Sequence, residues 1–263
     1  MSDKKLEYLD EIQKNLEYHF GTKVHEGVKV TRDLIETSEQ QVLIYHSKFR
    51  SDTITETKAT LVIAHSSFNH SQRYNSFAHA LAISGFEVHT VDFRGYGRSD
   101  GPLFGIKDPN LWVEDFGLVL KEAGKTEGQD GSVSDNKNVF AYGSELGAAV
   151  ILEYMQKNPD HKLKGIVLEN LLTDSNIASN GLSFGRRFKY GIYNAIGFAD
   201  LLTEDYPVDS SKLFKREKNQ NQWENDKFYR KACTYGNVLA NYQIAGMMNT
   251  WTQKGKINFG KTS

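Results

Sequence analysis

Hydrophobic positions along the chain change their spacing twice. Over the first twenty residues Leu6, Leu9, Ile12, Leu16 and Phe20 recur at steps of three and four between charged positions, which predicts a helix with one apolar stripe. Such a stripe either packs on the body of the protein or docks a partner. Two β-like runs follow, at 23–31 and 41–49, split by polar residues as in an antiparallel opening pair. Short, unbroken apolar runs then alternate with longer helical stretches. Strands buried on both faces are predicted at 61–64, 86–93, 139–142 and Leu163–Glu169. Helices are predicted at 74–84, 111–123 and 145–157, and a polar surface loop at 124–138. From about Thr173 the strand signal fades, and aromatic, Asn- and Gln-rich helical segments take over.

Strands alternating with helices of this length predict an α/β protein with a mostly parallel, doubly wound sheet. The organisation expected is an amphipathic helix over 1–20, a core over 21–172, a helical cap over 173–253 and a tail over 254–263. At 263 residues the chain suits one domain with an inserted cap.

Composition narrows the partners. Lys+Arg 32 against Asp+Glu 33 creates no overall field to draw nucleic acid or an acidic membrane. The basic excess of residues 208–263 reads as a solvated face, with an acidic partner surface as the lesser alternative. No apolar run approaches the roughly 18 residues of a spanning helix, and the Met1-Ser2-Asp3-Lys4-Lys5-Leu6 start has no secretory or transit pattern. The expected location is therefore cytoplasmic and non-secreted, and the Asn69-His70-Ser71 sequon is a chance match. Cys233 is the single cysteine, which excludes an intrachain disulfide and a thiolate metal cluster.

In a doubly wound sheet the reacting groups sit at the carboxyl ends of the strands. Three such ends are informative. Gly143-Ser144-Glu145-Leu146-Gly147 lies between a strand and a helix, where a G-x-S-x-G nucleophile elbow would lie. The glycines set the frame, so the tip is Glu145. Ser144 cannot take its place, because its own flanks would be Tyr142 and Leu146. The second end is the loop His65-Ser66-Ser67-Phe68-Asn69-His70-Ser71-Gln72-Arg73-Tyr74. The third is the turn Asp92-Phe93-Arg94-Gly95-Tyr96-Gly97-Arg98-Ser99-Asp100-Gly101.

These segments, in this order and spacing, resemble the monoglyceride lipase and lysophospholipase branch of the α/β-hydrolases. His70, Ser71, Arg73 and Tyr74 match its H-S-x-R-Y motif. Asp92, Arg94, Gly95, Gly97, Arg98, Ser99, Asp100 and Gly101 match its D-x-R-G-x-G-R-S-D-G motif. Pro207-Val208-Asp209-Ser210 and Asn225-Asp226 resemble its lid. The resemblance runs from about Gly21 to about Ile257 and implies an α/β-hydrolase sheet with a helical lid. It also implies an oxyanion hole built from the N–H groups of Ser67 and Leu146.

The departures shape the functional expectation. Glu145 stands where the resemblance places the serine nucleophile, and Ser66 stands where it places a glycine. Aspartate serves at this position in dehalogenases and epoxide hydrolases of the fold, but hydrolysing the ester formed would need a histidine. Only His161 follows the elbow, in a link at the opposite end of the sheet. A buried Glu145 needs a partner or has its pKa raised. The last strands of the fold are expected to be lacking, which leaves Leu163–Glu169 as an open, apolar edge that invites a protein partner.

The expectation is a non-catalytic relative acting as a structural or scaffolding subunit of a larger assembly. Two alternatives are an acyl-lipid-binding module and an ester or monoacylglycerol hydrolase completed by another chain. No cofactor and no metal are expected. His65 and His70 lack supporting ligands, and Trp112, Trp223 and Trp251 suit packing better than a ligand cage. The G-x-x-x-x-G-K-T run at 255–262 lacks the following helix that a phosphate loop requires.

Overall fold

The structure, a computed structural model, describes residues 27–37, 41–102, 106, 108–127, 133–135, 138–171, 203–205, 226, 232–234, 240, 241, 243 and 244. The amphipathic stripe of 1–20, the tail of 254–263 with the whole G-x-x-x-x-G-K-T run, Trp223 and Trp251 lie outside these residues.

In chain order the strands are β1 (Val28–Glu36), β2 (Leu43–Ser51), β3 (Thr60–Ala64), β4 (Glu87–Val91), β5 (Lys125–Glu127), β6 (Val133–Asp135), β7 (Val139–Ser144) and β8 (Leu163–Glu169). The helices among them are α1 (Asn75–Ile83), α2 (Asn110–Ala123) and α3 (Leu146–Lys157), with a 3-10 turn at Ser71–Tyr74 leading into α1. Six strands form one sheet in the order β1-β2-β4-β3-β7-β8. β1–β2 and β2–β4 are antiparallel, while β4–β3, β3–β7 and β7–β8 are parallel. This is the mostly parallel, doubly wound α/β arrangement anticipated from the alternating pattern.

The apolar runs are where burial is deepest. All five residues of β4 are buried, because α1 covers one face of the sheet and α2 and α3 cover the other. On the α1 face Phe49, Ile63 and Val88 meet Ala78 and Ala82. On the opposite face Val62, Val91 and Ala141 meet Trp112, Phe116 and Ile151. Each such side chain, fully buried, contributes about 1.5–3 kcal/mol.

Four local expectations are corrected. The first strand, expected over 23–31, runs past Thr31: its pairing with β2 continues to Glu36↔Leu43, so backbone hydrogen bonds carry it through the polar Arg32 and Asp33. The stretch 124–138 is not loop throughout, since β5 and β6 pair as a short antiparallel ladder. The helix after β7 starts at Leu146, one residue late, because Glu145 is held outside helical geometry. In the cap, β9 (Thr203–Asp205) and β10 (Ala232–Thr234) form an antiparallel pair where helix alone was expected.

Among the described residues β8 is the outer strand beside β7. Its burial is shallow, alternating between partly buried and exposed. Val167 is 58% exposed and its diagonal neighbour Phe140 on β7 36%.

Candidate active site

The elbow follows from steric necessity at two glycines. A Cβ on Gly147 would lie 2.2 Å from the carbonyl oxygen of Ala64, and one on Gly143 would lie 2.6 Å from the backbone nitrogen of Ala148. Both obstacles are backbone, so no side chain fits at either position. The residue between them turns sharply: Glu145 has φ 47 and ψ −107, outside the left-handed helical basin and costly for a residue with a Cβ. The Glu145 N–H donates to the Glu169 carbonyl at 2.9 Å, anchoring the turn to the end of β8. The geometry is that of a nucleophile elbow, and a glutamate occupies its tip.

The Glu145 carboxyl lies in a half-buried position. Burial, and after it the Glu169 carboxylate, push its pKa above the ordinary glutamate value. Hydroxyl groups stand near the tip. Tyr142 donates to the Glu169 side chain, and Tyr74 interacts with Ser144 and Ser66. Burial raises the Tyr74 phenol to about 12, against those two hydrogen bonds that lower it. Tyr142 packs edge-on to Tyr74 at 6.0 Å.

The loop after β3 is held from two sides. His65 is fully buried and bonded at both ring nitrogens: Nδ1 donates to the Ser66 carbonyl at 2.8 Å, and Nε2 accepts the Phe93 N–H at 3.1 Å. Those two bonds fix the neutral tautomer, and burial lowers its pKa to about 4. Ser66, in the place of the family glycine, accepts from the Asn69 amide at 3.2 Å. The hydroxyl of Ser67 donates to the Asn241 amide oxygen at 2.9 Å, joining this loop to the cap. Leu146, the second expected oxyanion donor, starts α3 and is buried.

A second cluster was not foreseen. Asp226 is buried, and its Oδ2 accepts from His70 Nε2 at 2.7 Å and from Arg73 Nη2 at 2.8 Å. His70 and Arg73 belong to the H-S-x-R-Y run and Asp226 to the lid-like Asn-Asp pair. The two motifs were therefore visible, but the contact spans more than 150 residues and only folding joins them. Ala240 and Ile244 add buried apolar contacts from the cap to the main core.

Further back, Arg94 clamps Asp115 of α2 through its Nε and Nη2, at 2.9 and 2.7 Å, and through its backbone N–H at 2.9 Å. Both side chains are buried. Burial pushes the Asp115 carboxyl up to about 6 against these bonds. His161, the histidine that follows the elbow, sits between α3 and β8. Leu163 pairs with Val139 at the start of β7, whereas Ser144 and the elbow lie at its end. Five residues of strand, about 16 Å, separate the two levels, so His161 does not serve the tip. Among the described residues, no three His, Cys, Asp or Glu side chains are placed to hold a metal ion. No helix among them is long and apolar enough to cross a membrane.

The family follows from comparison. Residues 55–259, which contain the elbow, the oxyanion loop and the Arg94 turn, match the serine aminopeptidase (S33) hydrolase family. The chain belongs to this hydrolase family. Among its relatives, the monoacylglycerol lipase of Mycolicibacterium smegmatis is 36% identical over 107 residues, 40% of this chain and 35% of that protein. The monoglyceride lipase homolog of monkeypox virus is 28% identical over 107 residues, 41% of this chain and 36% of that protein. The matches thus span about a third of the length of these relatives. In solved structures, the monoacylglycerol lipase of Paleococcus ferrophilus superposes with a TM-score of 0.60 at 18% identity, over 78% of this chain and 70% of that one. A soluble variant of the Saccharomyces cerevisiae monoglyceride lipase gives 0.65 at 13% identity, over 89% and 72%. These likenesses establish the α/β-hydrolase fold of this S33 member and its kinship to the monoglyceride lipases.

Proposed function

We propose that this monoglyceride-lipase-like hydrolase does not carry out serine chemistry and works as a structural subunit that docks a protein partner on the open β8 side. One observation carries the reading: Glu145, not a serine, occupies the strained tip, and the backbone against Gly143 and Gly147 prevents the frame from sliding. A serine nucleophile reacts because an adjacent base takes its proton. Here the tip is a carboxyl whose pKa is raised by burial and, after it, by another carboxylate, Glu169. A scaffolding role is supported by β8, where the outer strand leaves Val167 exposed beside Phe140. A strand edge of this kind pairs readily with another chain.

The test has two arms. A fluorophosphonate probe and a short-chain ester are expected to give neither labelling nor turnover with the wild-type chain. Turnover that disappears in Glu145→Ala would overturn the inactive reading. Native mass spectrometry is expected to find a bound protein. A bound acyl lipid in its place would favour the lipid-binding alternative. Outward-facing backbone amides of Leu163–Glu169, those not bonded to β7, that resist hydrogen exchange in the isolated monomer would sink the docking reading.

A further inference from the structure

The seam between β2 and β4 carries three ionisable groups that the elbow does not use. His46 on β2 places Nε2 2.8 Å from Nδ1 of His89 on β4. The other ring nitrogen of His89, Nε2, lies 2.9 Å from Oε1 of Glu87. The two rings stack, with centroids 5.0 Å apart and planes 20° from parallel, and all three residues are buried. The register explains the meeting. Lys48 pairs with His89 and His46 with Val91, so the histidines are diagonal neighbours on one face of the sheet.

We propose that His46, His89 and Glu87 form a proton relay that holds the β1–β2 hairpin onto the parallel sheet and loosens it on acidification. The atoms permit few arrangements. A carboxylate only accepts, so His89 donates to Glu87 from Nε2. Neutral His89 then has a lone pair on Nδ1, and His46 must donate to it from Nε2. One added proton is accommodated: His89 becomes an imidazolium between Glu87 and His46, and His46 shifts its own proton to Nδ1. A second added proton charges both rings and turns N–H against N–H across 2.8 Å, which breaks the relay.

The surroundings favour that outcome. On the same face Lys48 lies opposite His89 and Arg50 reaches Glu87 at 4.0 Å, while Asp33 of β1, exposed, is the register partner of His46. From β3 the register partner of His89 is Val62, and that of Glu87 is Thr60. α2 commits Asp115 to Arg94 and Glu122 to Lys125. Burial, then His89, then Lys48, hold His46 well below the ordinary histidine pKa. Glu87 is lowered: burial alone would raise it, and the hydrogen bond and charge of His89 outweigh that. Among the described residues the hairpin meets the rest of the sheet only through β2, by four residue pairs with β4, among them the pairs that carry His46 and His89.

The experiment is hydrogen exchange on the full chain, corrected for intrinsic rates. Between about pH 7 and about pH 5, amides of β1 and β2 are expected to lose protection by up to about 30-fold relative to β3 and β7, the tenfold-per-pH-unit linkage of one depressed histidine below about 6.5. In His46→Gln, whose amide can donate to His89 without titrating, that selective loss is expected to vanish. Equal loss in all strands, or a selective loss that persists in His46→Gln, would overturn the proposal. Should the variant not fold, nitrogen NMR of the wild type decides. His46 protonated on Nε2 at neutral pH and moving to Nδ1 on acidification, in step with His89, supports the relay, and two independent titrations overturn it.

Discussion

Acid should unfasten the loop that would form the oxyanion hole, because His65 is bonded through both ring nitrogens in its neutral form. A proton added at Nε2 displaces the Phe93 N–H and places a charge in a fully buried site between Phe93 and Tyr96. The folded pKa is lowered to about 4 from 6.5. A base with a depressed pKa contributes stability that is whole above the unfolded value and is lost as pH falls below it. The loss tends toward about 3.4 kcal/mol once pH is below both values, at about 1.4 kcal/mol per pH unit. Between about pH 7 and about pH 4.5 the expected loss is about 2.4 kcal/mol, a sizeable part of a typical domain stability of about 5–15 kcal/mol. No discount for solvent screening applies to a side chain with no exposed surface. Other groups titrate in the same window. Asp115, raised to about 6, acts with the opposite sign, favouring the folded state as it protonates. The measurement is therefore a difference: urea unfolding of wild type and His65→Gln, followed by the fluorescence of buried Trp112. The gap between the two should narrow by about 2.4 kcal/mol on going from about pH 7 to about pH 4.5. A gap that stays constant with pH would refute the reasoning, since His65 would then titrate alike in the folded and unfolded chain.

Three further outcomes are expected. Gly147→Ala forces a Cβ against the carbonyl of Ala64 at 2.2 Å; it should cost about 3 kcal/mol or more in urea unfolding, at the upper end of overpacking penalties. Asp115→Ala leaves the buried Arg94 guanidinium without its main partner and should cost about 3–5 kcal/mol by the same assay. Val167→Lys, at an exposed position on β8, should change stability of the isolated chain by less than about 0.5 kcal/mol. It should also abolish co-purification of a partner, and retained binding would show that β8 is not the docking edge.

Much of the fold could be read before folding because it rests on local rules. Unbroken apolar runs such as Leu61-Val62-Ile63-Ala64 can satisfy neither face in water, so they go to the centre of a covered sheet. The elbow frame was equally legible: two glycines four residues apart, between a strand and a helix, leave one residue for the tip. The end of β1 was misread because edge pairing tolerates polar residues on its open face, and β5–β6 was missed because each strand is only three residues long. The His70–Asp226–Arg73 cluster and the His46–His89–Glu87 relay had no sequence signal as clusters. Each depends on register or on contacts between distant segments.

The sequence by itself determined which residue stands at the elbow, since covalent order puts Glu145 between Gly143 and Gly147 whatever the surroundings. It also determined the α/β class, through the period of its apolar positions. Tertiary structure alone decided which ionisable groups meet and which are stripped of water. A charge or a hydrogen bond acts through distances of a few ångströms, and those distances are set by packing between segments that the linear chain keeps far apart.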